Sequence, residues 1–230
     1  MWKKNYIDEE CGEGNAFADY GTMVHSIIEE WINGKLLTWE LADEYKKRFM
    51  EIKHPFPFNP YTDLRENYYK NGYEYFKNFD EFNGYTPLIT EKEVIFEIEK
   101  YKFKGFPDLV AEDNFGNLVI FDHKSSNIYK GKKLEDRIRQ LYFYSIPVQI
   151  ELGKYPDYLI FNHFRKNIHD IHQFNFEQLE KTKKWAIKTI KQIKNCKEFK
   201  PNINEFFCTQ LCAYRNSCEY AKQLKEEVYG

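Results

Sequence analysis

The chain lacks any long hydrophobic run: its apolar stretches, such as Leu118 to Phe121, stop at four residues. A membrane-spanning helix needs about 20 such residues, and a secretory leader needs an apolar segment of about 7–15 behind its basic start. Here Met1-Trp2-Lys3-Lys4-Asn5-Tyr6 carries positive charge with nothing apolar behind it. Neither a span nor an export signal is expected, which points to the cytoplasm, or to a host cytoplasm for a viral protein. An excess of basic charge is also lacking, because 34 Lys and Arg against 36 Asp and Glu give a net charge of −2. Nucleic-acid binding would therefore have to come from a local patch and not from the overall field. Repeats and low-complexity segments are absent. Cysteine is sparse and odd in number at five, so without an export signal the thiols read as reduced and not as a disulfide framework. What the 230 residues do contain is 42% hydrophobic and 18% aromatic side chains, enough to bury a full core in one domain over 1–230.

Val24, Ile27, Ile28, Trp31 and Ile32 recur at helical spacing and Asn33-Gly34 supplies a stop, which predicts an amphipathic helix with His25 on its early turns. Residues 38–50 and 61–82 also read as helices, split by the bend His54-Pro55-Phe56-Pro57-Phe58-Asn59-Pro60. Together they form a helical insertion over 35–85. After Pro87 the pattern changes, and 94–98, 101–106 and 118–121 are rich in β-branched and aromatic residues. A helix is expected over 134–146, ended by Pro147, then strands over 158–162 and 168–174 joined by Arg165-Lys166-Asn167. A long helix over 176–195 follows. This order predicts an α/β (mixed α+β) fold, a mixed sheet flanked by helices.

The turn Glu112-Asp113-Asn114-Phe115-Gly116-Asn117 makes the strand with Asp108 antiparallel to the strand with Asp122. Pairing across such a turn keeps the partner numbers summing to about 230, a total that Asp108 and Asp122 meet. They should face each other at the open end of the hairpin. Lys124, two residues past Asp122, shares its face. Two carboxylates in one place repel unless a cation or proton offsets them, and a divalent ion does so while gripping phosphate oxygens. The plain alternative is a surface Asp/Lys salt bridge at a strand end.

Gly105-Phe106-Pro107-Asp108, followed fourteen positions later by Asp122-His123-Lys124, resembles the proline-aspartate and aspartate-x-lysine signature of the PD-(D/E)XK nucleases. Gly21-Thr22-Met23-Val24-His25 resembles the glycine-histidine motif of their RecB-like branch, and Gln140-Leu141-Tyr142-Phe143-Tyr144 resembles its Gln-x-x-x-Tyr helix. The four motifs stand in the family's order. The resemblance implies a restriction-endonuclease-like core and a divalent-metal-dependent deoxyribonuclease, in particular an exonuclease on single-stranded or unwound DNA ends in recombination, repair, CRISPR adaptation or phage replication. It implies that His25, Asp108, Asp122 and the backbone carbonyl of His123 hold Mn²⁺ or Mg²⁺. Lys124 would be the catalytic lysine, and Gln140 and Tyr144 would contact the DNA backbone or support the site. A helicase, recombinase or integrase partner fits the same resemblance, and no membrane does. The alternative is a non-catalytic DNA-binding or assembly module that keeps the fold and the cysteine site.

Cys208, Cys212 and Cys218, spaced C-x3-C-x5-C, suit soft-ligand coordination. Residues 205–220 resemble the iron-sulfur segment of AddB-type and CRISPR-associated RecB-like nucleases, which implies a 4Fe-4S cluster, with tetrahedral Zn²⁺ as the competing occupant. The fourth thiolate of that family comes from far upstream. Here either Cys11 substitutes for it or the upstream segment is missing. Cys196 is expected to pack against the core. Lys130, Lys132 and Lys133, after the Asp122-His123-Lys124 motif, are placed to meet a phosphate backbone. The eight lysines between Lys181 and Lys200, against the single acid Glu198, read equally as a phosphate-tracking stripe or a solvated helix face. Tyr68, Tyr69, Tyr73 and Tyr75 could stack on unpaired bases, although at this aromatic content most must be core.

Overall fold

The computed structural model describes residues 2–80 and 82–229; Met1, Glu81 and Gly230, which fall within the domain expected over 1–230, and Glu81 also within the helix expected over 61–82, lie outside it. The β-rich stretch after Gly84 divides into two ladders at Phe106-Pro107. Before that break, β2 (Val94–Ile98) and β3 (Tyr101–Gly105) pair only with each other in a two-stranded antiparallel sheet. After it, β4 (Leu109–Asp113) pairs with β5 (Leu118–His123) in the main sheet. The single strand expected over 101–106, continuing to Asp108, is therefore two strands, because proline has no N–H to carry a ladder through position 107.

The main sheet also contains a strand that sequence patterning misses, β1 (Tyr85–Thr90), antiparallel to β4. Pro87 lies inside it, and the register slips between Pro87 and Ile89. An edge strand with a bulge is where a sheet tolerates proline. β5 then runs parallel to β6 (Tyr158–His163), and β7 (Ile168–Gln173) closes the sheet antiparallel to β6, in the order β1-β4-β5-β6-β7.

A parallel pair needs a crossover, supplied by a helix over Gly131–Leu152. It runs through Pro147, which was expected to end it. Residues 144–148 are buried against the sheet, so packing overrides the lost backbone bond, and the stop is instead Gly153 in the left-handed conformation at φ 77°.

In chain order the helices are α1 (Trp2–Tyr6), α2 (Ala16–Ile32), α3 (Leu41–Met50), α4 (Leu64–Lys77), α5 (Gly131–Leu152), α6 (Phe176–Asn195) and α7 (Glu219–Tyr229). They cover both faces of the sheet. Leu109, Ala111, Val119 and Phe121 pack with Tyr20, Val24, Ile27, Tyr45 and Phe76 of α2–α4, while Val110, Leu118 and Ile120 pack with Leu141, Tyr144 and Val148 of α5. The alternation follows from the period of two along a strand, and it makes every residue of β5 buried. Among the described residues no helix is long and apolar enough to cross a membrane.

Candidate active site

The register places Leu109 opposite Phe121, so the next position outward brings Asp108 to the level of Asp122. Both carboxylates are buried, Asp122 completely. Asp108 is fixed from below, its Oδ2 accepting the His123 backbone N–H at 2.6 Å. Lys124 continues the strand, its N–H donating to the Asn162 carbonyl at 2.8 Å, and its ammonium pairs with Asp122 Oδ2.

His25 reaches this point from α2. Asn15 caps that helix, its Oδ1 accepting from the N–H groups of Phe17 and Ala18 at 3.1 and 3.0 Å. The imidazole spans three partners: Nε2 is 3.0 Å from the His123 carbonyl oxygen, and Nδ1 is 3.3 Å from Glu91 and 3.6 Å from Asp108. Glu91 escaped the sequence reading. It follows β1 in a left-handed conformation, φ 44°, and its N–H is shared between the Pro107 and Asp108 carbonyls at 3.0 and 3.3 Å. A non-glycine residue held at positive φ is a place to look for function. The segment Glu91-Lys92-Glu93 alone offers no such signal. Among the described residues, His25, Glu91 and Asp108 are the one group of three ligand side chains whose atoms lie within 4.8 Å of one another. Asp122 stands outside that triangle, held by Lys124.

The electrostatics show a shortage of positive charge. Burial and the neighbouring Asp122 push the Asp108 carboxyl up to about 7. Burial also raises Asp122, against the pull of Lys124. Burial works against the charged forms of Lys124 and His25, yet the carboxylates outweigh it and hold both pKa values above their ordinary range. His123, wholly enclosed, is pushed well below its ordinary value. Asp122 Oδ1 is buried without a hydrogen-bond partner among the described residues. Unpaired oxygens of this kind are expensive, and a divalent cation would satisfy them. The donor set of carboxylates and imidazole fits such an ion.

Gln140 and Tyr144 lie one turn apart on α5, the Gln140 amide donating to the Tyr144 hydroxyl at 2.9 Å. Tyr144 feels the charges of Asp122 and Asp108. It also packs on Gly105, where an added Cβ would come within 2.8 Å of its ring, which explains the glycine before the proline-aspartate motif. Lys130, Lys132 and Lys133 are exposed at the start of α5, with Lys133 over the Tyr129 ring at 5.3 Å. Tyr75 is buried, and Tyr68, Tyr69 and Tyr73 are partly buried against the same core, so this group serves packing and not base stacking.

The cysteines occupy one end. Cys208, Cys212 and Cys218 are half-buried and Cys11 is exposed, all as free thiols. The loop around Cys11 is tied to the segment around Cys212: Tyr214 donates to the Glu10 carbonyl at 2.7 Å, Glu13 N–H to the Ala213 carbonyl at 2.8 Å, and Asn216 to Glu13 at 2.7 Å. Asn15, the cap of α2, donates to the Leu211 carbonyl at 3.2 Å. Sulfurs around one Zn²⁺ at 2.3 Å would stand about 3.8 Å apart, and among the described residues no three cysteines gather within 4.8 Å. Cys196 is not in the core as expected; it is the exposed C-cap of α6, its thiol donating to the Glu198 carbonyl at 3.0 Å.

Buried carboxylates, an imidazole and an amine, short of positive charge at the end of a mixed sheet, are the chemistry of a divalent-metal site for phosphoryl transfer. Residues 5–219 match the PD-(D/E)XK nuclease superfamily, and the chain belongs to that superfamily, whose members are metal-dependent nucleases. Comparison with curated proteins finds no match.

Proposed function

We propose that this protein is a DNA exonuclease acting on single-stranded or unwound ends. In this reading Mn²⁺ or Mg²⁺ is held by His25, Asp108, Asp122 and the His123 carbonyl, with Glu91 added to the set. The observation that carries it is the approach of His25, Glu91 and Asp108 within 4.8 Å of one another, beside the unpartnered Asp122 oxygen. When bound, the ion supplies Lewis-acid polarisation of a phosphate oxygen and a lowered pKa for water. The imidazole among the oxygens favours Mn²⁺ over an all-oxygen set. Lys124, held by Asp122, offers its ammonium to charge developing on the phosphorus oxygens. Gln140 orients the Tyr144 hydroxyl beside the carboxylates, where the pair contacts the backbone of the bound strand. Lys130, Lys132 and Lys133 meet phosphates at the N-terminus of α5.

The cysteine end holds a 4Fe-4S cluster on Cys208, Cys212, Cys218 and Cys11, which staples the loop before α2 to the C-terminal segment. The contacts between residues 10–16 and 211–216 support Cys11 as the fourth ligand. End trimming of this kind serves recombination, repair, CRISPR adaptation or phage replication, beside a helicase, recombinase or integrase. Asp108→Ala and Lys124→Ala should each lower Mn²⁺-dependent cleavage of end-labelled DNA by at least about 100-fold, the scale of losing one preorganised transition-state contact. Full activity in either folded variant removes the site assignment.

A further inference from the structure

We infer that the face of α6 around Trp185, together with Arg139 of α5, is a track for single-stranded DNA beside the carboxylate site. The inference rests on the nuclease reading above and names where its substrate strand lies. Trp185 is 41% exposed. Arg139 places its guanidinium 4.5 Å from the indole centroid while also donating to Asp136 at 2.7 Å, and the Phe143 ring stands 6.3 Å away. An indole bearing a cation and open to solvent is a platform on which an unpaired base stacks, with the guanidinium close enough for a phosphate. Beside it a cleft of about 430 Å³ opens between α5 and α6, with Tyr142, Gln178, Lys181 and Trp185 in its lining and Glu135 as its one acid.

The charge on the next face of α6 points the same way. Lys184, Lys188 and Lys191 fall on one face at i, i+4 and i+7, and among the described residues none has an acidic partner within 4.0 Å, whereas Lys181 is paired with Glu177 at 2.7 Å. They line a second cleft of about 690 Å³, with Glu99 as its one acid. Like charges at this spacing disfavour a helix by themselves, and a polyanion offsets them. The three lysines span about 10 Å of helix. The platform lies about a quarter turn around α5 from the site: Trp185 packs on Arg139 and Phe143, which precede Gln140 and Tyr144 in the chain and stand about 100° around the helix from them. A duplex keeps its bases stacked on each other and cannot use an indole, which selects a single strand.

The test is fluorescence anisotropy with a labelled oligothymidylate of about 12 nucleotides, within the site sizes usual for such grooves, in EDTA so that nothing is cleaved. Trp185→Ala should weaken binding at least about fivefold and Trp185→Phe much less, as expected for a stacking contact. Replacing Lys184, Lys188 and Lys191 with glutamine should reduce the slope of log K against log salt by about 2. These exposed lysines keep the test readable if Trp185→Ala fails to fold. Unchanged affinity and salt slope in the folded variants overturn the inference. So does equal binding of polyglutamate and oligothymidylate by the wild type. Mn²⁺-dependent cleavage by the wild type is scored separately. Cleavage without Trp185-dependent binding overturns the track alone, and Trp185-dependent binding without cleavage overturns the nuclease reading alone.

Discussion

Removing the lysine ammonium from the carboxylate pair should cost stability that a divalent ion returns. Asp122 is fully buried and Lys124, 22% exposed, is its one ion-pair partner among the described residues. An exposed ion pair contributes about 0–1 kcal/mol, but removing one member of a buried pair costs about 3–5 kcal/mol because a charge is left uncompensated. Lys124 has a partly open side, so Lys124→Met, which keeps the apolar stem, should lose about 3 kcal/mol. In urea this lowers the midpoint by about 1 M at a slope of about 3 kcal/mol/M. Mn²⁺ at a hundredfold excess over its Kd should return about 2.7 kcal/mol, nearly the whole loss, while cleavage stays down. Asp122→Asn combined with Lys124→Met should recover much of the stability without metal, since the buried charge is gone. A loss below about 0.5 kcal/mol, or a loss that Mn²⁺ leaves untouched, would refute the claim that buried, cation-poor carboxylates define this site.

Asn162→Ala removes the amide that donates to the Tyr75 hydroxyl at 2.9 Å and lies 3.3 Å from His123 Nδ1; a cost of about 1–3 kcal/mol should appear as a fall in Tm of at least about 3 °C in a thermal scan. Glu91→Gln keeps the shape but removes a negative charge from the ligand triangle, and calorimetry should show Mn²⁺ binding at least about tenfold weaker with the fold intact. Cys212→Ser should abolish visible absorbance of anaerobically purified protein and raise proteolysis of the loop before α2, while the carboxylate site still binds Mn²⁺ in calorimetry.

Much of the site's geometry was legible because antiparallel pairing is arithmetic. Once the turn at 112–117 is placed, Asp108 must meet Asp122, and the period of two carries Lys124 to the same face. The helix bearing His25 was legible from its apolar stripe, but the approach of His25 to the sheet is a matter of tertiary packing. Glu91 was not legible, since its role depends on a left-handed turn fixed by carbonyls of residues 107 and 108, far along the chain. Pro87 and Pro147 misled for related reasons: a proline reads as a breaker locally, yet an edge bulge accommodates one and a buried helix surface the other. Cys196 misled because a free cysteine is usually buried as a small apolar residue, whereas here it follows the last turn of α6 at the surface and its thiol meets the Glu198 carbonyl.

The most direct measurement is the fate of end-labelled single- and double-stranded DNA incubated with the purified protein in Mn²⁺, Mg²⁺ or EDTA, beside Asp108→Ala. The account predicts progressive shortening from an end with Mn²⁺, at a lower rate or not at all with Mg²⁺, none in EDTA and none with the variant. Intact DNA under both metals from well-folded wild-type protein would contradict it.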